Sequence, residues 1–230
     1  MNDAPIEIVS ATRLSEQEFW QRAALGISLR RLAVNDRISF FVAFANQKPL
    51  PAVYNGRIRA EGANRRLVFM HDDIWIDDYF FVDRIIAALE QYDVVGVAGN
   101  RRRAERQPSW AFVNDAFVWD ERGNLSGAVA HGANPFGAVT RFGPTPAACE
   151  LLDGLLLAVN RQSLLQHNVS FDERFDFHFY DMDFCRTARA AGLRLGTWPL
   201  CVTHQSGGGG YESPAWRGNY SKYLDKWSGT

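Results

Sequence analysis

The feature that most constrains this chain is a set of short, almost continuously apolar segments, each followed by a helical pattern. Four of them, IEIVSA (6–11), RISFFVAFAN (37–46), RLVFMH (66–71) and DVVGVAG (93–99), lie within the first hundred residues. Successive side chains of a strand point to opposite faces, so an unbroken apolar strand needs cover on both. Between these segments, residues 15–32 read as a helix opened by Ser15 with Glu18 three positions on, a capping box. Residues 50–62 read as a second helix, with Pro51 near its start and Gly62 near its end. In a third, Phe81, Val82, Ile85, Ile86 and Leu89 share one face, with Asp77 or Asp78 as cap. Such alternation predicts an α/β domain with a mostly parallel central sheet covered by helices on both faces. Sheets of that kind bind ligands at the carboxyl ends of their strands.

From Asn100 to Ala148 the periodicity fades into loops with short strands. Regularity returns with ELLDGLLLAVNRQSLLQHN (150–168), then FDERFDFHFYDMDFCRTARAAG (171–192), whose Gly192 reads as a helix C′. A strand LRLGTWPLCVTH (193–204) and a loop QSGGGGYESPAW (205–216) follow. At 230 residues and 47% hydrophobic content the chain fits one domain. With 25 basic and 26 acidic residues, no whole-molecule field draws it to nucleic acid or to an anionic membrane. No apolar run approaches the roughly 20 residues that span a bilayer, and the first residues lack a secretory pattern. Cys149, Cys185 and Cys201 are odd in number and widely spaced, which suggests no disulfide framework and fits the cytoplasm.

Chemistry must therefore come from local groups. Asp72 and Asp73 follow a buried strand, where adjacent carboxylates repel unless a cation or donors compensate. Mg²⁺ or Mn²⁺ is the natural compensation, one acid holding the ion and the other the ligand; solvated loop acids or helix caps are the alternative. Asp77 and Asp78 read as helix-start acids. Asp181 and Asp183 open a later helix two residues apart, so at most one aims squarely into a site. One of them is a general base, or both are first-turn stabilisers. His204 ends a strand and is either a surface histidine or a metal ligand. The loop Gly207–Gly210 matches no phosphate-binding pattern but is flexible enough to close over a ligand. NRRRAERQ (100–107) is a basic cluster, a solvated loop or a contact for a phosphate-bearing acceptor or a membrane face.

Taken together and in order, VFMHDDIWI, LLDGLLLAVNRQSLL, FYDMDFCRTARAAG and VTHQSGGG followed by YSKYLDKW resemble the nucleotide-diphospho-sugar glycosyltransferases of the GT-A fold, especially the large inverting family 2. The resemblance covers most of the chain and implies one glycosyltransferase domain over 1–230. Residues 1–100 would be its nucleotide-binding half, and 101–230 an acceptor-side half with a mobile C-terminal loop. It implies a divalent cation, Mn²⁺ or Mg²⁺, a nucleotide-diphosphate sugar donor, and a saccharide or lipid-linked acceptor, as in polysaccharide biosynthesis. By matching position, Asp73 and His204 correspond to metal ligands, Asp181 to the base, and Asp153 to a sugar-contacting group. Ser10, Thr12, Arg13, Asn46 and Asp72 fall where base and ribose are held. Trp198, Trp216 and Tyr211 lie near these segments, either packing in the core and anchoring loops or stacking on a sugar or base. Two positions depart from the pattern: His71 stands where the motif has its first Asp, and Tyr180 where it has Glu, which leaves the choice between Asp181 and Asp183 open. The competing readings are a nucleotidyltransferase, whose Gly-rich, basic signature SATRLSEQ lacks, and a GT-A binding module without turnover.

Overall fold

The structure, a computed structural model, describes residues 6–205 and 211–228. Strand β1 (Ile6–Ala11) leads into two helices rather than one, α1 (Glu16–Arg22) and α2 (Ala24–Arg31). Ser15 and Glu18 form the reciprocal capping box. The break falls at Ala23, which is extended, and α2 folds back so closely that a Cβ on Gly26 would lie 2.2 Å from the Phe19 carbonyl oxygen. The chain continues through β2 (Ile38–Ala43), α3 (Leu50–Arg59), β3 (Arg66–Met70), β4 (Ile74–Ile76), α4 (Phe81–Gln91), β5 (Val94–Gly96) and β6 (Ala98–Asn100). Its second half supplies β7 (Leu125–His131), β8 (Ala138–Gly143), β9 (Ala147–Ala148), β10 (Leu151–Leu152), β11 (Leu156–Asn160), α5 (Arg161–Gln166), α6 (Tyr180–Ala190), β12 (Leu195–Thr197), β13 (Val202–His204) and α7 (Pro214–Lys226).

The strands form a seven-stranded sheet, in the order β2-β1-β3-β11-β5-β12-β9, and a six-stranded one, β10-β6-β7-β13-β4 with β8 beside β7. In the first sheet β1 runs parallel to β2 and β3, and β5 to β12, but β11 is antiparallel to both neighbours. The sheet is mixed but mostly parallel, as expected: β2, β1, β3, β5 and β12 run one way, and only β11, which arrives from β10 of the other sheet, and the edge strand β9 run against them. Consecutive residues of β3, β5, β11 and β12 are buried, so this part of the sheet is covered on both faces. Edge strand β2 is not: Phe40 is 50% exposed, partly covered by Trp20 at 5.1 Å between ring centroids.

Two segments that read as single strands are each divided between the sheets. DVVGVAG yields β5 and β6, with Val97 at the crossing, and LRLGTWPLCVTH yields β12 and β13, interrupted by residues 198–201. Between the two acid pairs, Ile74–Ile76 form β4 where no strand was expected. These crossings position the site. Leu156 of β11 pairs with Met70, which sets Asp153 to Leu155 beside His71, whose N–H donates to the Leu155 carbonyl at 3.1 Å. His204 of β13 pairs with Ile74, which sets it beside Asp73. No helix among the described residues is long and apolar enough to cross a membrane.

Candidate active site

The parallel strands β2, β1 and β3 end together, and a cleft of about 670 Å³ opens there. It is lined by Thr12 and Arg13 after β1, Asn46 to Lys48 after β2, and His71, Asp72 and Asp73 after β3, with Asp176 and Phe177 on the far side. Burial pushes the Asp72 carboxyl above its usual pKa, and the nearby Thr12 hydroxyl acts against that. Asn46 uses its side chain to hold its own turn, donating to the Lys48 carbonyl at 2.8 Å and accepting from the Lys48 N–H at 3.1 Å. Arg13 donates to Gln47 at 2.8 Å. Ser10 is fully buried and does not line the cleft, because it sits inside β1 rather than beyond its end.

A smaller pocket of about 130 Å³ adjoins the cleft, and His71 and Phe177 line both. Where they meet, one ligand atom each from His71, Asp73 and His204 lies within 4.8 Å of the others. His204 Nε2 is 3.2 Å from Asp73 Oδ2. Burial alone would lower the pKa of His204, but hydrogen bonding to Asp73 lifts it above the ordinary value. At His71 burial prevails and lowers the pKa, which favours the neutral imidazole. Its Nε2 lies 3.0 Å from the Tyr180 hydroxyl, which donates to the Gly154 carbonyl at 2.7 Å. Two imidazoles and a carboxylate converging on one point are a donor set suited to a divalent transition-metal cation.

In the smaller pocket, Asp181 accepts hydrogen bonds from the N–H groups of Gly154 and Met182, both at 2.9 Å. Burial, reinforced by the nearby Asp153 charge, pushes its pKa up to about 7. Asp153 is fixed in turn, accepting from Trp110 Nε1 at 2.7 Å and from Leu155 N–H at 2.9 Å. Gly154 has to be glycine, since a Cβ there would lie 2.5 Å from Tyr180 Oη. Just before α6, Phe179 takes φ 68°, a left-handed conformation that is strained for a bulky residue. Its ring is held against Trp216, Tyr220 and Tyr223 of α7, so packing sustains the bend that delivers Tyr180 and Asp181.

Asp183, two residues on, is not brought to the pocket. It is fully buried in the seam between α6 and α7, 2.7 Å from Lys226 Nζ and 2.9 Å from Trp227 Nε1. Burial raises its pKa, and Lys226 acts against that. Asp77 does not cap α4 either. It accepts from the Thr203 hydroxyl at 2.5 Å and the Phe136 N–H at 3.0 Å, tying β4 to β13 and the turn before β8. Asp78 does bond the Phe80 N–H at 2.9 Å and pairs with Arg84. Trp216 and Tyr211 line the smaller pocket, whereas Trp198 packs against the core. In NRRRAERQ, Arg102 pairs with Asp120 and Arg103 lies 3.8 Å from Glu150. Gly207–Gly210 fall outside the described residues. Sequence reading missed Trp110 and Phe177 altogether; the one cue to Gly154 was the Asp-Gly pair interrupting an apolar run.

Mixed sheet and strand-end cleft make this an α/β domain, and its class is given by likeness to solved GT-A glycosyltransferase domains. The fold is similar to the catalytic domain of Drosophila beta-1,4-galactosyltransferase 7 in complex with xylobiose, at TM-score 0.51 and 11% identity over 92% of this chain and 74% of that one. It is also similar to a mutant of that enzyme in complex with manganese, UDP-Gal and xylobiose, at TM-score 0.51 and 11% identity over 87% of this chain and 70% of that one. GalNAc-T7 with UDP, GalNAc and Mn²⁺ matches at TM-score 0.55 and 11% identity, over 98% of this chain and 48% of that one. At such identity the likeness speaks for the fold alone. The sequence carries the assignment further: the profile described as "Glycosyltransferase like family" matches residues 12–209, and the chain belongs to that family of sugar-transferring enzymes. No curated protein matches it in sequence.

Proposed function

We propose that the protein moves a sugar from a nucleoside-diphosphate donor to a hydroxyl of a saccharide or lipid-linked acceptor, with inversion at the sugar carbon. The observation that carries this reading is Asp181, a carboxyl lifted to about 7 in a pocket that joins the larger cleft through His71 and Phe177. A carboxylate of that basicity is matched to general-base work near neutral pH, where an ordinary exposed aspartate is too weak a base. Asp181 takes the acceptor's hydroxyl proton on a lone pair left free beside its two N–H bonds. Asp153, locked by Trp110, orients the sugar. Phe177, half-exposed between the two spaces, covers the junction against water, the competing acceptor.

The donor's nucleotide lies in the larger cleft, held by Thr12, Arg13 and Asp72, with Asn46 shaping the wall. His71, Asp73 and His204 would hold the cation. Two nitrogens and one carboxylate favour Mn²⁺ over Mg²⁺, which prefers an all-oxygen shell. When bound, the cation neutralises the diphosphate leaving group. The solved neighbours captured with UDP-Gal or UDP and manganese support this choice of donor class. We assign 1–100 to the nucleotide side and 101–230 to the acceptor side, Asp176 and Phe177 being the residues that cross over. Three free cysteines support a cytoplasmic site of action, with polysaccharide assembly as the setting.

The test is calorimetry against UDP-, GDP-, dTDP- and CMP-sugars with and without Mn²⁺, followed by NMR of the product anomer. One donor should bind only with the cation and yield the inverted product. Absence of nucleotide binding under every metal condition ends the transferase reading.

A further inference from the structure

Tyr180 stands in the first turn of α6, 2% exposed, between the cation cluster and the base. Its hydroxyl makes two contacts, at 2.7 Å to the Gly154 carbonyl oxygen and at 3.0 Å to His71 Nε2. A phenol has one proton, and a carbonyl oxygen can only accept. Were that proton given to His71, two oxygens with facing lone pairs would stand 2.7 Å apart in a buried site, a costly arrangement. Both contacts are satisfied in one way: Tyr180 donates to Gly154, and His71 donates from Nε2 to Tyr180. The neutral imidazole then has its remaining lone pair on Nδ1.

We propose that Tyr180 is a positioning residue that fixes His71 as the Nε2–H tautomer and so makes Nδ1 the atom offered to a divalent cation shared with Asp73 and His204. This rests on the proposed cation-dependent transfer for its purpose, but not for its geometry. Gly154 is the pivot. Its missing Cβ leaves room for the hydroxyl, its carbonyl receives the Tyr180 proton, and its N–H holds Asp181 Oδ2 at 2.9 Å. One residue thereby connects the histidine of the cation cluster to the base: His71 to Tyr180 to the Gly154 carbonyl, and from the Gly154 N–H to Asp181. A tyrosine does here what a carboxylate or backbone carbonyl commonly does behind a ligating histidine.

The first measurement needs no variant. Nitrogen-15 NMR of histidine-labelled, metal-free protein, at a pH where His71 is neutral, should show His71 protonated at Nε2 and bare at Nδ1. The second is the Mn²⁺ dissociation constant, by calorimetry without donor, of wild type, Tyr180→Phe and Asp73→Ala. Phenylalanine keeps the ring packed against Tyr54 and Phe171 but removes the hydroxyl. Affinity should fall about 10- to 100-fold, the usual effect of losing such a partner, and the His71 resonances should lose the single-tautomer pattern. Asp73→Ala should abolish binding while leaving the tautomer as in wild type. A wild-type His71 protonated at Nδ1, or a Tyr180→Phe protein with wild-type Mn²⁺ affinity, overturns the proposal. A wild type that shows the Nε2–H tautomer but binds no Mn²⁺ overturns the cation's part in both readings and leaves the hydrogen-bond assignment standing.

Discussion

Asp181 and Asp183 share the first turn of one helix, yet one faces a pocket and the other a seam, and the contrast separates the carboxylate proposed as the base from a structural one. Asp181 has two peptide N–H groups and a second carboxylate nearby, with no bonded cationic side chain among the described residues, so its negative charge is poorly compensated. Asp183 is buried more completely but bonded to Lys226 and Trp227. Burial by itself therefore distinguishes neither; the partner does. A buried charge with a bonded counter-ion holds two elements together, and a buried charge without one is available for proton transfer.

The contrast can be broken from either side. The largest effect should come from Asp181→Asn, which removes the proposed base and should lower kcat by about 10²- to 10⁴-fold without any loss of melting temperature. A variant that keeps more than half its turnover would sink the assignment. Asp183→Ala should do the reverse, destabilising the protein by about 1–3 kcal/mol in denaturant titration, because Trp227 Nε1 loses this acceptor and Lys226 retains Asp172 but loses its more deeply buried partner. Asp183→Asn combined with Lys226→Met should recover part of that loss, and simple additivity of the two would mean the seam is no ion pair.

Next in size is the pH response. The rate should climb with a limb near pH 7 as Asp181 ionises, and Asp153→Asn should move that limb to lower pH by removing a like charge. The same raised pKa acts on stability with a definite sign. Its contribution is fully present below the unfolded value of 3.8 and is lost as pH rises through about 7. Asp181→Asn should therefore melt at the wild-type temperature near pH 4 and higher than wild type near pH 8. Smallest should be Trp227→Phe, which removes one hydrogen bond to Asp183 and should cost about 1 kcal/mol.

Much of this frame was legible in sequence, because it rests on local signals. Ser15 and Glu18 announced a helix start, Gly192 with φ 85° a helix end, and the runs at 6–11 and 66–71 announced strands. What stayed hidden depends on pairing between distant segments. Nothing in DVVGVAG shows that Val97 passes from one sheet to the other, and nothing in ELLDGLLLAV shows that β11 runs against β3. RISFFVAFAN read as doubly covered, but composition cannot tell an edge strand from a central one. For the site, the acids and His204 were identifiable by type and order. Their company was not: Asp183 and Asp181 look alike in sequence until Lys226 and Trp227 are folded against one of them. Ser10, at the end of a strand pattern, could not be told from a cleft residue until the pleat turned it inward.

The pairing of β4 with β13 joins Ile76 to Val202 and His204 to Ile74. Closing so long a loop carries an entropic cost and belongs late in folding. Asp73 and His204 therefore become neighbours only once β13 has been made and has closed onto β4. On the ribosome, a growing chain that has not yet released β13 has no His204 beside Asp73, so the proposed cation cluster can form only after that strand emerges.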